Sequence, residues 1–268
     1  MNIPIMFTIL LLGHLLGDFY LQWNYMAEMK KTSFRWLLAH GFVYAFCIAA
    51  SLLAVICFGG VAYSRDLLWI FVLASLSHIT VDFLKSRILW NRLFSAGKVD
   101  GFITRIQKLY IAKWLFSIDQ AAHLILLFLA WYLWGRELAV GRYIYDYTYH
   151  LTIALGLLVL LRPVGVLLGS GVIWTFNGEK EKDIKEEDVK QKKDSSRLIG
   201  YLERIIVLFL LLNGEYSAIA LVIAAKSIAR FPEIKDEKGH LRANDYIIGT
   251  FLSLAAVIVI TVLLGLIS

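Results

Sequence analysis

Apolar residues run along this chain in long blocks separated by short polar connections. Five blocks, at about 3–23, 36–58, 67–84, 113–134 and 147–174, are each close to the length needed to cross a bilayer as a helix. A sixth covers about 246–267. Between 197 and 231 the pattern is less regular, because Asn213-Gly214 is a turn signal that divides it into two shorter apolar stretches at about 198–212 and 215–229. Read as a single span, this region would carry Lys226, Arg230, Lys235, Lys238 and Arg242 to the side of the membrane that basic residues avoid. A hairpin that dips in and returns keeps them on the basic side, and it sets Glu203 opposite Lys226 as an ion pair. The predicted fold is therefore all-α: a polytopic integral membrane protein with about five N-terminal spans, a short helical hairpin (re-entrant or two short spans) and a final C-terminal span.

Composition agrees with that class. The 268 residues are 59% hydrophobic and only 18% charged, well outside the usual balance of a soluble domain. The first residues carry no basic n-region and no small-residue cleavage site, so the first block reads as a retained span. The net charge of +6 belongs to membrane-facing connections; no basic segment interleaved with stacking aromatics points to nucleic acid. Cys47 and Cys57 lie ten residues apart on one block, about 15 Å along a helix, too far for a disulfide.

Loop charges predict orientation. Lys30, Lys31 and Arg35 occupy the first connection, and Lys85, Arg87, Arg92, Lys98, Arg105 and Lys108 the third, whereas the second and fourth are poor in basic residues. The N-terminus is then outside and the odd connections cytoplasmic. In the third connection Phe102, Ile103, Ile106, Leu109 and Tyr110 share a helical face, which reads either as an interfacial helix or as an extension of the fourth span. From 177 to 196 nearly every residue is charged. Pairs such as Glu181/Lys185 and Glu186/Lys190 suit a solvated helix as well as a disordered linker. The expected organisation is a five-span module over 1–174, a charged cytoplasmic linker over 175–196, and a hairpin plus final span over 197–268.

Polar residues inside the apolar blocks carry the candidate chemistry. His14, Asp18 and Gln22 are four residues apart in the first block and stack on one face of a helix. His40 opens the second block, His78 and Asp82 close the third, and Asp119 and His123 lie in the first half of the fourth. With the predicted topology all seven His and Asp side chains fall in the cytoplasmic half of the membrane. His14-Leu15-Leu16-Gly17-Asp18-Phe19 and His78-Ile79-Thr80-Val81-Asp82-Phe83 share the frame His-x-x-x-Asp-Phe, and each is followed by a span bearing another His. The first two and second two spans thus read as parallel repeats with the site between them.

Ionisable groups at such depth are costly unless paired or bound to a cation. Imidazole with carboxylate suits zinc, with manganese or iron as alternatives, held as one ion with outer carboxylates or as two ions. Proton or ion conduction and a purely structural network are the other readings. Arg162, before Pro163 in mid-span, is a candidate to meet an anionic substrate or one of the Asp residues, and Lys85 is another. Gly165 and Gly169 read as a packing face, and His150 and His240 as solvated. No phosphate-binding glycine loop, nucleophile elbow or His-Glu-x-x-His is present.

His-x-x-x-Asp-Phe-x-x-Gln in the first block, Ser77-His78-x-x-x-Asp82 in the third and Asp119-Gln120-Ala121-Ala122-His123 in the fourth resemble the bacterial family known as domain of unknown function 3307. Gly200-Tyr201-Leu202-Glu203-Arg204 and Ala225-Lys226-Ser227-Ile228-Ala229-Arg230-Phe231 resemble its downstream pattern. The resemblance implies a bacterial inner-membrane protein and no particular activity. Two functions fit the residues. In one, His14, His40, His78 and His123 ligate a divalent metal, Asp18, Asp82 and Asp119 serve as ligands or general base, and the metal activates water against a lipid-borne ester or phosphoester. In the other, the same residues form a cation or proton-coupled transport path. A membrane scaffold with a structural metal is the third reading, and the oligomeric state is not legible.

Overall fold

A computed structural model describes residues 5–86, 102–169, 186–235 and 243–267. The predicted pair Glu181/Lys185, the connection residues Arg87, Arg92 and Lys98, and His240 lie outside the described residues. So do the side chains of 102–110 and of Glu186/Lys190. No strand occurs among the described residues. The helices are α1 (Ile5–Leu15, continued as a π-turn over Leu16–Tyr20), α2 (Asn24–Met29), α3 (Phe34–Gly59), α4 (Arg65–Phe83) and α5 (Phe102–Trp134). They continue with α6 (Arg142–Tyr145), α7 (Thr148–Leu161), α8 (Pro163–Gly169), α9 (Glu186–Leu212), α10 (Tyr216–Lys235) and α11 (Ala243–Ile267). Five stretches are long and apolar enough to cross a membrane: Phe34–Gly59, Arg65–Ser86, Leu115–Trp134, Thr148–Leu168 and Tyr246–Gly265.

The first apolar segment is shorter than the expected 3–23. Its helix covers Ile5–Tyr20, about 24 Å at 1.5 Å per residue, against a hydrocarbon core of about 30 Å. The π-turn also breaks the regular stacking expected of His14, Asp18 and Gln22, because a wider turn rotates the following residues off the α-helical stripe. The fourth helix is longer than the apolar block, running unbroken from Phe102, so the backbone of 102–110 extends the fourth span. Pro163 stops α7 at Leu161 and opens α8 at its first position, where its missing N–H costs nothing.

The described residues form two compact units, 1–158 with 267–268, and 159–266, so the fifth apolar block is divided between them. In the first unit α1 packs on α3, α3 on α4 and α4 on α5. Ile5, Met6 and Leu10 meet Ile48, Val55, Ile70 and Leu127 in its core. Phe42, Phe46 and Leu53 point the other way and are exposed, so α3 is apolar all round. Lipid is as apolar as leucine, so close packing, more than removal from water, holds such helices together. Glycine permits the approach. A Cβ on Gly17 would lie 3.1 Å from Tyr44 Cα, and one on Gly13 would collide with Ser51. α3 ends at Gly60, whose φ of 62° is the left-handed cap that glycine adopts without strain.

In the second unit α9 and α10 fold back on each other through Asn213-Gly214-Glu215, with Gly214 at φ 73°. Lys226 Nζ donates to Glu203 Oε2, forming the ion pair expected of a hairpin. α9 begins at Glu186, so the second half of the charged stretch has a helical backbone.

Candidate metal centre

Four helical segments of the first unit each bring one or two polar side chains to a common point. The π-turn presents Asp18, α3 presents His40, α4 presents His78 and Asp82, and α5 presents Asp119 and His123. All six are buried, His40 entirely and Asp18 at 7% exposure. They fall into two groups whose ligand atoms lie within 4.8 Å of one another: Asp18, His40, His78 and Asp82, and Asp82, Asp119 and His123. Asp82 belongs to both.

The first group converges closely. His40 Nε2 lies 3.3 Å from Asp18 Oδ1, 3.2 Å from Asp82 Oδ2 and 3.1 Å from His78 Nε2. His78 Nε2 is 3.8 Å from each of the same carboxylate oxygens. Ligands bound at about 2.0–2.1 Å from a tetrahedral zinc stand about 3.3 Å apart. The three separations from His40 Nε2 lie at that spacing and the two longer ones from His78 Nε2 are about 0.5 Å wider, so the four atoms could hold a small divalent ion. In the second group His123 Nδ1 lies 3.9 Å from Asp119 Oδ1, and neither atom has a hydrogen-bond partner.

Bringing carboxylates together away from water needs positive charge. At an effective dielectric near 20, two unit charges 4 Å apart repel by about 4 kcal/mol. Lys30 supplies part of the compensation: its Nζ donates to Asp82 Oδ2 at 2.8 Å and lies 3.9 Å from Asp18 Oδ1. Burial works against the Lys30 ammonium, but Asp82 and Asp18 outweigh it and hold its pKa above the ordinary lysine value. Lys85 Nζ donates to Asp119 Oδ2 at 2.5 Å. Gln120 Nε2 donates to Asp18 Oδ2 at 2.8 Å. The Gln22 amide, oriented by its neighbours, donates to the Asp18 carbonyl and accepts from Lys30.

The imidazoles are oriented by packing. Tyr44 stacks on His78 with ring centroids 3.6 Å apart and planes 4° from parallel, and His123 lies 4.2 Å from His78 on centroids. The nitrogens facing away from the centre, His40 Nδ1 and His78 Nδ1, are buried without a hydrogen-bond partner. Metal-binding histidines usually donate that outer N–H to an acceptor, which raises their basicity and is worth ten- to a hundredfold in affinity.

Two of the sequence candidates stand apart. His14 joins neither ligand group; its Nδ1 meets Tyr44 Oη at 3.2 Å, its Nε2 has no partner, and its ring centroid is 6.0 Å from those of His78 and His123. Arg162 belongs to the second unit, at the break between α7 and α8. Conversely, Lys30, Tyr44 and Gln120 are members of the centre that spacing did not single out. Tyr44 stands four residues from His40, a signal that was available. Lys30 reads from sequence as a connection charge, and only the return of the chain through α2 brings it over the carboxylates.

An all-α chain with several membrane-length apolar helices and a buried His/Asp cluster among them is the class that fold and site define. Within that class the chain belongs to the family described as Protein of unknown function (DUF3307), whose model matches residues 6–152. That stretch contains all seven His and Asp candidates and ends before Arg162; the C-terminal motifs noted for the resemblance lie beyond it. No curated protein and no solved structure matches the chain.

Proposed function

We propose that Asp18, His40, His78 and Asp82 hold a divalent cation, zinc in preference to manganese or iron, and that the chain is a membrane-embedded metal protein acting on a lipid-borne ester or phosphoester. The observation that carries the first part is the convergence of the four ligand atoms: three separations of 3.1–3.3 Å lie at the edge length of a tetrahedral zinc site, and two of 3.8 Å are about 0.5 Å wider. Gln120 then acts behind Asp18, on its other oxygen, while Lys30, which contacts the ligand oxygens Asp82 Oδ2 and Asp18 Oδ1 themselves, would give way to the ion.

The reaction rests on the second group. Four protein ligands close a tetrahedral site, whereas Asp82, Asp119 and His123 are three and leave a position for water. A divalent ion there would supply Lewis acidity and a water of lowered pKa. Asp119 Oδ1 and His123 Nδ1, buried and unpartnered, are the atoms able to ligate or to take a proton, while Lys85 on Asp119 Oδ2 holds the carboxylate in place. The placement that goes with this reading is a bacterial inner membrane with the N-terminus outside, the centre near the cytoplasmic face, and 1–174 and 197–268 joined by the charged linker 175–196. Residues 198–229 then enter and leave on the cytoplasmic side. A cysteine placed at residue 236 and labelled only from the inner face supports that placement, and labelling from the outer face overturns it.

A second reading, passage of the cation, is favoured by one feature. Lys30 already balances one charge of the acid pair, and the outer imidazole nitrogens lack acceptors, so an ion would compete with the ammonium for the same oxygens and be held less firmly. Hydrolysis of short-chain lipid esters and phosphoesters by zinc-loaded protein in detergent separates the two. Turnover that is lost in Asp119→Asn while one ion is retained supports the enzyme. Ion uptake into vesicles without turnover supports passage.

A further inference from the structure

The second unit contains a recess between α9, α10 and α11 that the metal centre does not use. Its lining includes Glu203, Arg204 and Lys226, the hydroxyl residues Thr250 and Ser253, and apolar walls among which are Val207, Val222 and Val257. Glu203 is taken by Lys226. Arg204, the next residue, is the cation of the recess with no ion-paired or hydrogen-bonded acid among the described residues. It is 6% exposed, its Nε is buried without a hydrogen-bond partner, and its guanidinium lies by the Tyr201 ring, 5.2 Å from Cζ to the ring centroid. Thr250 Oγ1 is buried and likewise without a partner.

A buried guanidinium with no acceptor is among the costlier arrangements a fold retains, and removing the cost takes an anion that reaches its N–H groups. Three positions of charge, two cationic and one anionic, leave the recess with a net single positive charge. The guanidinium fork matches the paired oxygens of a phosphate, and the Thr250 hydroxyl offers a further donor. The apolar walls suit a ligand that continues into hydrocarbon.

We propose that this recess binds a phosphate group through Arg204 and Thr250, in the form of the headgroup phosphodiester of an anionic lipid. Free phosphate shares the chemistry and is the alternative source. The site is separate from the metal centre, so the failure of either reading leaves the other standing.

The test is thermal unfolding of the full-length protein in a neutral detergent, titrated separately with dihexanoyl phosphatidylglycerol, dihexanoyl phosphatidylcholine and inorganic phosphate. The expected result is a rise in Tm with phosphatidylglycerol, weaker or absent with the zwitterionic lipid. A rise with inorganic phosphate of equal size assigns the site to the free anion and upholds the phosphate chemistry. Arg204→Gln is expected to weaken the apparent affinity by about tenfold or more, and Thr250→Val by a few-fold, since charge-assisted bonds outweigh neutral ones. Without ligand, Arg204→Gln is expected to unfold at or above the wild-type temperature, because it removes an uncompensated charge. No rise with any of the three compounds, or the same rise in Arg204→Gln and Thr250→Val as in the wild type, overturns the proposal.

Discussion

The two units handle buried charge in opposite ways. In the metal centre every carboxylate has a donor: Lys30 on Asp82, Gln120 on Asp18, Lys85 on Asp119. What lacks partners there are neutral or lone-pair atoms, the outer imidazole nitrogens and Asp119 Oδ1. In the recess of the second unit one acid serves one of two cations, and Arg204 is left over. The difference bears on ligand type. A site built of carboxylates and imidazoles, with ammonium groups placed to balance it, is arranged for a cation. A site with a surplus guanidinium is arranged for an anion.

The largest effect is expected where one residue serves both ligand groups. Asp82→Asn removes a carboxylate shared by His40, His78 and Lys30 and leaves the buried Lys30 ammonium with Asp18, at 3.9 Å, as its nearest acid. Breaking one side of a buried pair costs about 3–5 kcal/mol. The expected outcome is loss of bound metal together with a large drop in Tm, and the double variant Lys30→Met/Asp82→Asn should recover part of the stability without recovering the metal. Equal Tm values for single and double variants would show that Lys30 is not held by Asp82.

Next in size is the packing that orients the rings. Gly17→Ala pushes a methyl toward Tyr44 Cα, a backbone atom that cannot step aside, and overpacking of this kind costs about 1–3 kcal/mol. Because Tyr44 stacks on His78, metal affinity should fall with stability. A Gly17→Ala protein that unfolds earlier yet binds metal as tightly would uncouple the two.

In the second unit the expected effects are smaller. Glu203 and Lys226 are partly exposed, so their pair contributes about 1 kcal/mol. Glu203→Ala should nonetheless lower Tm more than Glu203→Ala/Lys226→Ala, because it leaves two cations in one recess. Lys226→Ala should be the mildest of the three, since it frees Glu203 for Arg204. Comparable in size and simplest to read is Gly214→Ala, expected to cost about 1–2 kcal/mol for a side chain at positive φ. Tm values in one detergent check all four variants.

Much of the architecture was legible because its signals are local. Apolar block lengths predict the long helices, Asn213-Gly214 marks the turn between α9 and α10, and Pro163 marks the break after α7. His-x-x-x-Asp spacing places His78 with Asp82 on one face of α4 directly. The misses are non-local. The π-turn at Leu16–Tyr20 has no periodicity of its own, and the contact of His14 with Tyr44, thirty residues on, is set by packing between helices. The two His-x-x-x-Asp-Phe frames are alike in sequence, yet His40 reaches both Asp18 and Asp82 whereas His123 meets Asp119 and the His78 carbonyl. Lys30 joins the centre through a chain reversal that no spacing rule encodes.

Metal content of the purified, full-length protein by elemental analysis, repeated on His40→Ala, tests the central claim most directly. The account expects about one or two divalent ions per chain, removable by a chelator with a fall in Tm, and a reduced content in His40→Ala. Metal-free wild-type protein that takes up no zinc and whose Tm is the same with zinc and with chelator would contradict it.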